Sequence, residues 1–563
     1  MNQETKNCQN CKKDFVIEPD DFAFYEKMKV PAPTFCPDCR MQRRFALRNE
    51  WHLMRKNDIH GKEIFSMFHE DAPVKIMGVE EWYSDSWDPL EYGKDYDFSK
   101  PFFQQFKELM SQVPLMARNL VWQVNSDYCM NATAPKDCYL SFGISYVENS
   151  ANSVWGSKSK DIFDCHNYNE SELCYDCFDI NKCYRALYSV GCDGCSEVLF
   201  CKNCVGCNNC FGCCNLKNKS YCIFNQAYSK EEYQEKIKEF GINLRTGVEA
   251  MREKAISHWM QFPNKFIHGR HNTNVSGDYI YNSKDAKNCW RIIGAENVKY
   301  CQNFTLGPAK DSYDHSNFGS GSELIYDSLV VGDGAYNVAF SAYCYPQNSN
   351  LKYCIQCQSS SNLFGCISVR KKEYCILNKQ YTKEEYEVLV PKIIEHMKST
   401  GEYGEFFPME MSPLAYNESF AFEHFPLTRE EVEKNGLIWR EPKEKNFNIT
   451  MASTDVPDDI NNVDESITKE IISCAHAGSC NHECAKVFKI TQQELQFYKL
   501  LKIPLPRICQ NCRHYSRFAW RNPAKIWRRK CMKSGCQNEF ETSYAPDRPE
   551  IVYCENCYNN EVA

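Results

Sequence analysis

"CHNYNESELCYDCFDINKCYRALYSVGCDGCSEVLFCKNCVGCNNC" fills positions 165 to 210, and its cysteines are periodic. Cys165, Cys174, Cys183, Cys192, Cys201 and Cys210 stand nine residues apart; Cys195, Cys204, Cys213 and Cys222 form a second nine-residue series offset by three. A unit this short cannot bury a face by itself, so each coil must stack on its neighbours, which is a solenoid. Aromatic and β-branched residues set between Gly, Asn and Ser turns select strands over helices. Cysteine packs as a small apolar residue, so the ladder is predicted to face inward. The fold class that follows is mainly β, a central parallel β-helix-like solenoid.

Working outward, a second periodic block appears. "NVKYCQ", "KDSYDH", "ELIYDS" and "YNVAFS" recur every thirteen residues from 297, and "NLKYCI", "NLFGCI" and "KKEYCI" follow. "YCIFNQAYSKEEY" at 221–233 matches "YCILNKQYTKEEY" at 374–386, and Ser229 with Glu232, like Thr382 with Glu385, has capping-box spacing. Two solenoid repeats, 123–225 and 270–380, are therefore each expected to be closed by a helix. A connecting helix at 101–122, a helical insertion at 226–269 and a helix with connector at 381–442 complete the middle. The polar, acidic stretch at 443–470 reads as a flexible linker.

The two ends carry one cassette. Sliding the sequence by 473 positions puts Cys11 on Cys484, Phe15 on Phe488, Tyr25 on Tyr498, Cys36 on Cys509 and Cys39 on Cys512, with Arg40, Arg44 and Arg48 on Arg513, Arg517 and Arg521. Cys8, Cys11, Cys36 and Cys39, and Cys480, Cys484, Cys509 and Cys512, place two chelating turns around an insert that has helix-start signals. Four thiolates so delivered form the closed tetrahedral shell of structural zinc, and four-cysteine iron is the alternative. Cys531, Cys536, Cys554 and Cys557 make a third set. A register of 476 relates residues 54–82 to 529–558, but His60, Gly78 and Glu81 face the last three of these cysteines, so 54–100 is expected to be a metal-free relic. The modules are thus 1–53, 54–100, 471–523 and 524–563, with three zinc ions predicted.

The pattern C-x2-C, aromatic, "FY", "P.P..C.DCR" resembles the probable zinc-ribbon domain of many small bacterial proteins, and "CMKSGCQNEFETSYAPDRPEIVYCENCY" at 531–558 is similar to a second short zinc-ribbon type. The whole arrangement resembles large multi-ribbon proteins of ultrasmall candidate-phylum bacteria. That resemblance implies zinc and carries no activity with it.

Other chemistry is sparse. Cys204, Cys207, Cys210 and Cys214 reproduce the spacing of a bacterial ferredoxin with Asn215 in place of the trailing proline, so an iron–sulfur cluster is the rival to simple packing there. No P-loop, dinucleotide fingerprint, H-E-x-x-H or nucleophile elbow occurs. The acid–aromatic stretch at 80–98 could present Asp85, Asp88 and Asp95 to a ligand, and reads more readily as a packed loop. The chain begins with a polar "MNQETKNCQN" and has no long apolar run, so it reads as cytoplasmic with no membrane partner.

Net charge is −8 across 563 residues, which excludes a uniformly basic nucleic-acid coat. The cations instead concentrate beyond each cysteine set. Arg40, Arg44 and Arg48, and Arg513, Arg517 and Arg521, recur at helical spacing, followed by Arg528 and Arg529, with Trp520 beside them. The expectation is a non-catalytic zinc protein whose basic tails bind RNA or another single-stranded nucleic acid. A protein-interaction scaffold with structural zinc is one alternative, and a β-helix enzyme acting on carbohydrate is the other.

Overall fold

The computed structural model describes residues 2–304, 306–441 and 446–562. Its centre is a β-solenoid in two blocks that lies within residues 120–376 and is interrupted by the helices Lys230–Glu239 and Arg245–Trp259. The coil repeat is twelve residues in the first block: Phe142 pairs with Val154, Val154 with His166 and His166 with Phe178, all parallel. In the second block, thirteen-residue coils (Tyr313 with Tyr326, Tyr336 with Ser349) give way to twelve (Ser349 with Ser361, Ser361 with Glu373).

The nine-residue cysteine series is one projection of a finer period of three. Ile162, Cys165, Tyr168, Cys174, Cys177, Ile180, Cys183 and Ala186 all lie in the interior, whereas Asp161, Asp164, Asn167, Glu170, Leu173, Asp176 and Asp179 all have φ near +50°. Each coil thus turns four corners, each on a left-handed residue. Asn and Asp tolerate that conformation best, and such corner side chains bond across coils, as Asn125 does to Asp137 at 3.0 Å and Asn337 to Asn350 at 2.8 Å. The interior thiols explain their own spacing: Cys183 Sγ lies 3.4 Å from the Cys192 carbonyl, and Cys192 Sγ 3.6 Å from that of Cys201. A small side chain with a weak donor fits such a corner and adds a second contact to a carbonyl that already accepts a backbone N–H, from Asn181 onto Cys192 and from Val190 onto Cys201. Serine does the complementary task, the Ser171 hydroxyl accepting from Cys183 N–H at 3.1 Å.

Each block ends in an antiparallel hairpin that leads into a helix, Lys230–Glu239 or Lys383–Ser399, with the Ser229/Glu232 and Thr382/Glu385 capping boxes formed. The blocks meet through Tyr281 Oη on Asp179 (3.0 Å), Arg270 on Asp193, and Arg291, which bonds Asn167 and lies over the Trp155 ring at 4.3 Å. Both blocks carry the same outward stripe along the solenoid axis, one residue per coil. Lys136, Glu148, Lys160, Glu172 and Tyr184 follow one another in the first, and Lys284, Glu296, Lys310, Glu323 and Tyr336 in the second.

The stretch expected to be a flexible linker is ordered where described. Residues 443–445 lie outside the described residues, but Val456, Ile460, Val463 and Ile467 are buried in one cluster with Leu495 and Tyr498. Apolar residues every three or four positions within an acidic stretch were enough to anchor it. Among the described residues no helix is long and apolar enough to cross a membrane.

His315 sits inside the second block with Nε2 bonded to the Val331 carbonyl at 2.9 Å, and burial, reinforced by Arg44, holds it down to about 3 from 6.5. The unfolded chain therefore binds a proton that the folded chain refuses, and stability is lost as pH falls through 6.5 toward 3. Denaturant melts at pH 7 and pH 5 should show a smaller acid loss for His315→Gln than for the wild type.

Candidate metal centres and the arginine clamps

Three sets of four thiols converge, each with its sulfurs within 4.8 Å of one another: Cys8, Cys11, Cys36 and Cys39; Cys474, Cys484, Cys509 and Cys512; Cys531, Cys536, Cys554 and Cys557. They share one construction. The third cysteine of each set caps a helix (Pro37–Ala46, Gln510–Phe518 or Glu555–Glu561) and the fourth follows one turn on, so two thiols stand at a helix N-terminus where anions are favoured. The amide of each capping cysteine donates to the first: Cys36 to Cys8 Sγ at 3.2 Å, Cys509 to Cys474 Sγ at 3.2 Å, Cys554 to Cys531 Sγ at 3.3 Å. Although burial opposes it, three amide contacts bring Cys8 down to about 7, and contacts to Asn538 and Cys557 bring Cys554 down to about 6. Sulfur separations are 3.7 Å for Cys11–Cys36, 3.8 Å for Cys474–Cys512 and 3.9 Å for both Cys484–Cys509 and Cys536–Cys554. A tetrahedron of sulfurs around zinc has an edge of about 3.8 Å.

The second set differs by one member from that expected. Cys474 occupies the place assigned to Cys480, for a reason visible in strand register. Cys8 follows the strand Glu4–Asn7, whose partner is Asp14–Ile17, and Cys474 follows Ile472–Ser473, whose partner is Val487–Phe488. Between its first two cysteines the N-terminal copy has two residues and the C-terminal copy nine, and Cys480 rides on that longer loop. The ungapped match at Cys11 and Cys484 concealed the insertion.

The relic at 54–82 has the hairpin of its counterpart, Met54–Asn57 with Glu63–Ser66, matching Trp527–Lys530 with Glu539–Thr542. Gly78 caps a short helix where Cys554 does, and His60 Nε2 meets Glu81 Oε1 at 2.6 Å where the other copy gathers thiols. No four-donor group is found there among the described residues. Nor do the ferredoxin-spaced cysteines converge: Cys204, Cys207 and Cys210 point into the solenoid core, whereas Cys214 lies in the outer cluster with Trp259. Asp88 caps a turn through Leu90 N–H, and Asp95 binds Lys379 and Tyr381, so the acid–aromatic loop is packed against the second block.

The arginines are where the expectation fails most plainly. Arg40 and Arg44 are buried against the second block: Arg40 pairs with Asp314 at 2.8 Å, and Arg44 with Asp327 at 2.6 Å. Arg513 and Arg517 are buried against the first, both on Asp164, the latter at 2.9 Å. The duplication runs through the whole interface. Phe24 stacks on Tyr313 and Phe497 on Phe163, each at 4.0 Å, and one coil further Tyr25 meets Tyr326 and Tyr498 meets Tyr175. Each cassette therefore grips an aromatic–aspartate pair on two successive coils. Arg48 pairs with Glu50 at 2.6 Å and Arg521, beyond the helix end, lies over Trp155 and near His424. Trp520 packs on Trp259, and Arg529 bonds the Ala545 carbonyl. Of the named residues only Arg528 stands well out, its side chain 79% exposed beside Glu539.

No protein-family model and no curated protein matches the chain.

A buried charge stripped of its partner is strongly destabilising. Asp164→Ala removes the nearest partner of both arginines and leaves them only Glu494, 3.5 Å from Arg513, and Asp176, 3.8 Å from Arg517, so denaturant melts should show a loss of about 3 kcal/mol. Glu172→Ala, on the exposed stripe of the same block, should cost less than about 1 kcal/mol.

Proposed function

We propose that this chain is a non-catalytic binding protein, a rigid β-solenoid scaffold whose end modules are locked by structural zinc. The observation that carries the reading is the closed character of the three tetrads: each offers four protein sulfurs and leaves no position for a substrate or water. The resemblance of the end modules to zinc ribbons points the same way. A metal there fixes the helix that bears the clamping arginines, so the ion's task is to hold Arg40 and Arg44, or Arg513 and Arg517, against the solenoid. The chemistry zinc supplies is neutralisation of four adjacent thiolates.

The outward Lys–Glu–Lys–Glu–Tyr stripe, repeated on both blocks, supports a protein partner over a nucleic acid. Its alternating charges are laid out on a flat parallel ladder, with Tyr184 and Tyr336 exposed at its end. A nucleic-acid reading is carried by what remains of the basic tail, Lys525, Arg528 and Lys530, all exposed on or beside the C-terminal hairpin.

Elemental analysis of the purified full chain should give zinc at no fewer than three ions per chain. Chelation should lower the melting temperature and release both clamps; a metal content of one or none would overturn the reading. For the nucleic-acid alternative, a labelled single strand should bind wild type and the Lys525→Glu, Arg528→Glu, Lys530→Glu triple variant with equal, weak affinity. A loss of more than about tenfold in the variant, steepening at low salt, would favour nucleic acid.

A further inference from the structure

The loop that separates Cys474 from Cys484 brings its own donors. His476, Cys480 and His482 place one ligand atom each within 4.8 Å of one another and of Cys512 Sγ, a sulfur that already belongs to the four-thiol set. Cys480 Sγ is 3.6 Å from Cys512 Sγ, the separation of two ligands on one tetrahedral ion. His476 Nδ1 and His482 Nδ1 are sealed from solvent and have no hydrogen-bond partner, a costly state for ring nitrogens unless something else binds them. The two rings lie 5.6 Å apart, and that of His482 is stacked on Tyr515, which sets its orientation.

We infer that the C-terminal cassette holds a two-metal cluster, with Cys512 as a thiolate shared between a Cys474–Cys484–Cys509–Cys512 ion and a His476–Cys480–His482–Cys512 ion. The inference rests on the metal reading of the tetrads above and adds a fourth ion to it. Two imidazoles and two thiolates suit zinc, and the same set accepts cobalt or cadmium as probes. Electrostatics favours the second ion. Five thiolates crowd this site, and two dications leave a single net negative charge among them, whereas one dication would leave three. On binding, each thiol gives up its proton to solvent and the imidazoles ligate neutral.

The N-terminal cassette is the internal control. It has the same fold and the same four-thiol set, and Cys39 occupies the place of Cys512, but only Gln9 and Asn10 lie between Cys8 and Cys11. It can hold one ion. The second C-terminal ion is also the more accessible, since His476, Cys480 and His482 are only partly buried whereas Cys474, Cys509 and Cys512 are buried. It is expected to leave first under a chelator.

The test uses the full chain reconstituted with zinc and, separately, with cadmium-113. Wild type should contain four ions, and the cadmium spectrum should show two resonances coupled to each other through the shared sulfur. His476→Ala, Cys480→Ser, His482→Ala together should bring the count to three, abolish the coupling and leave the N-terminal and Cys531 sites filled. Three ions in wild type would overturn the cluster while leaving the scaffold reading intact; one or none would remove both. Four ions without coupling, or four retained in the triple variant, would place the extra ion elsewhere and overturn the assignment. Should the variant fail to fold, the wild-type count and coupling decide the matter.

Discussion

Two buried aspartates hold this molecule together. Asp164 in the first block and Asp314 in the second lie 1% and 0% exposed, and each is neutralised by arginine delivered from a cysteine cassette at the far end of the chain. Neither charge is tolerable without the other, because a carboxylate in a dry interface demands a partner of fixed geometry. The thiol tetrads stand at the start of the helices that meet this requirement. An arginine helix of nine or ten residues has little stability of its own, and a metal held by the thiols at its first turn would give it a fixed place from which to project guanidinium groups.

The arrangement is crossed. The N-terminal cassette clamps the second block and the C-terminal cassette clamps the first, so the ends of the chain close over a middle that is itself duplicated. The parallel continues in the small ribbons: Ile76–Met77 adds to Leu115–Met116 ahead of the first block, as Val552–Tyr553 adds to Asn264–Lys265 ahead of the second. Repeated use of one interface explains why the arginine spacing, the Phe–Tyr pair and the acidic capping residue recur together. Asp21 and Glu494 show the logic, each completing a capping box while also meeting the solenoid, through Lys299 or Asn152.

The interior cysteines illustrate how one residue type divides between two tasks by environment. In the solenoid, burial raises thiol pKa values, to about 12 at Cys129 and about 11 at Cys138, and the S–H groups meet carbonyls. In the modules, amides converge on one sulfur of a set and bring it down, to about 7 at Cys8 and about 6 at Cys554, while neighbouring thiols such as Cys36 and Cys512 are pushed up by the crowding of sulfur on sulfur and by burial. Composition cannot tell these apart, since both kinds sit in C-x2-C pairs.

Local pattern by itself determined a good deal: stacked strands from short periods, helix starts at Ser229 and Thr382 from capping boxes, two four-cysteine sets from paired knuckles, and a hairpin at 54–66 that repeats the one at 527–542. These are legible because they depend on residues near one another along the chain. Only the tertiary structure decided the rest. The nine-residue ladder was a subset of a three-residue corner rule on twelve-residue coils, which needs the φ of each third residue. Cys474 replaced Cys480 because a strand ladder, formed across an insertion, fixes which sulfur faces the helix. The cationic stripes turned out to be internal because their partners, Asp164, Asp314 and Asp327, stand well over a hundred residues away on single left-handed corners. Charge spacing along a helix records which side chains share a face, and whether that face meets water or an aspartate is settled only by what packs against it.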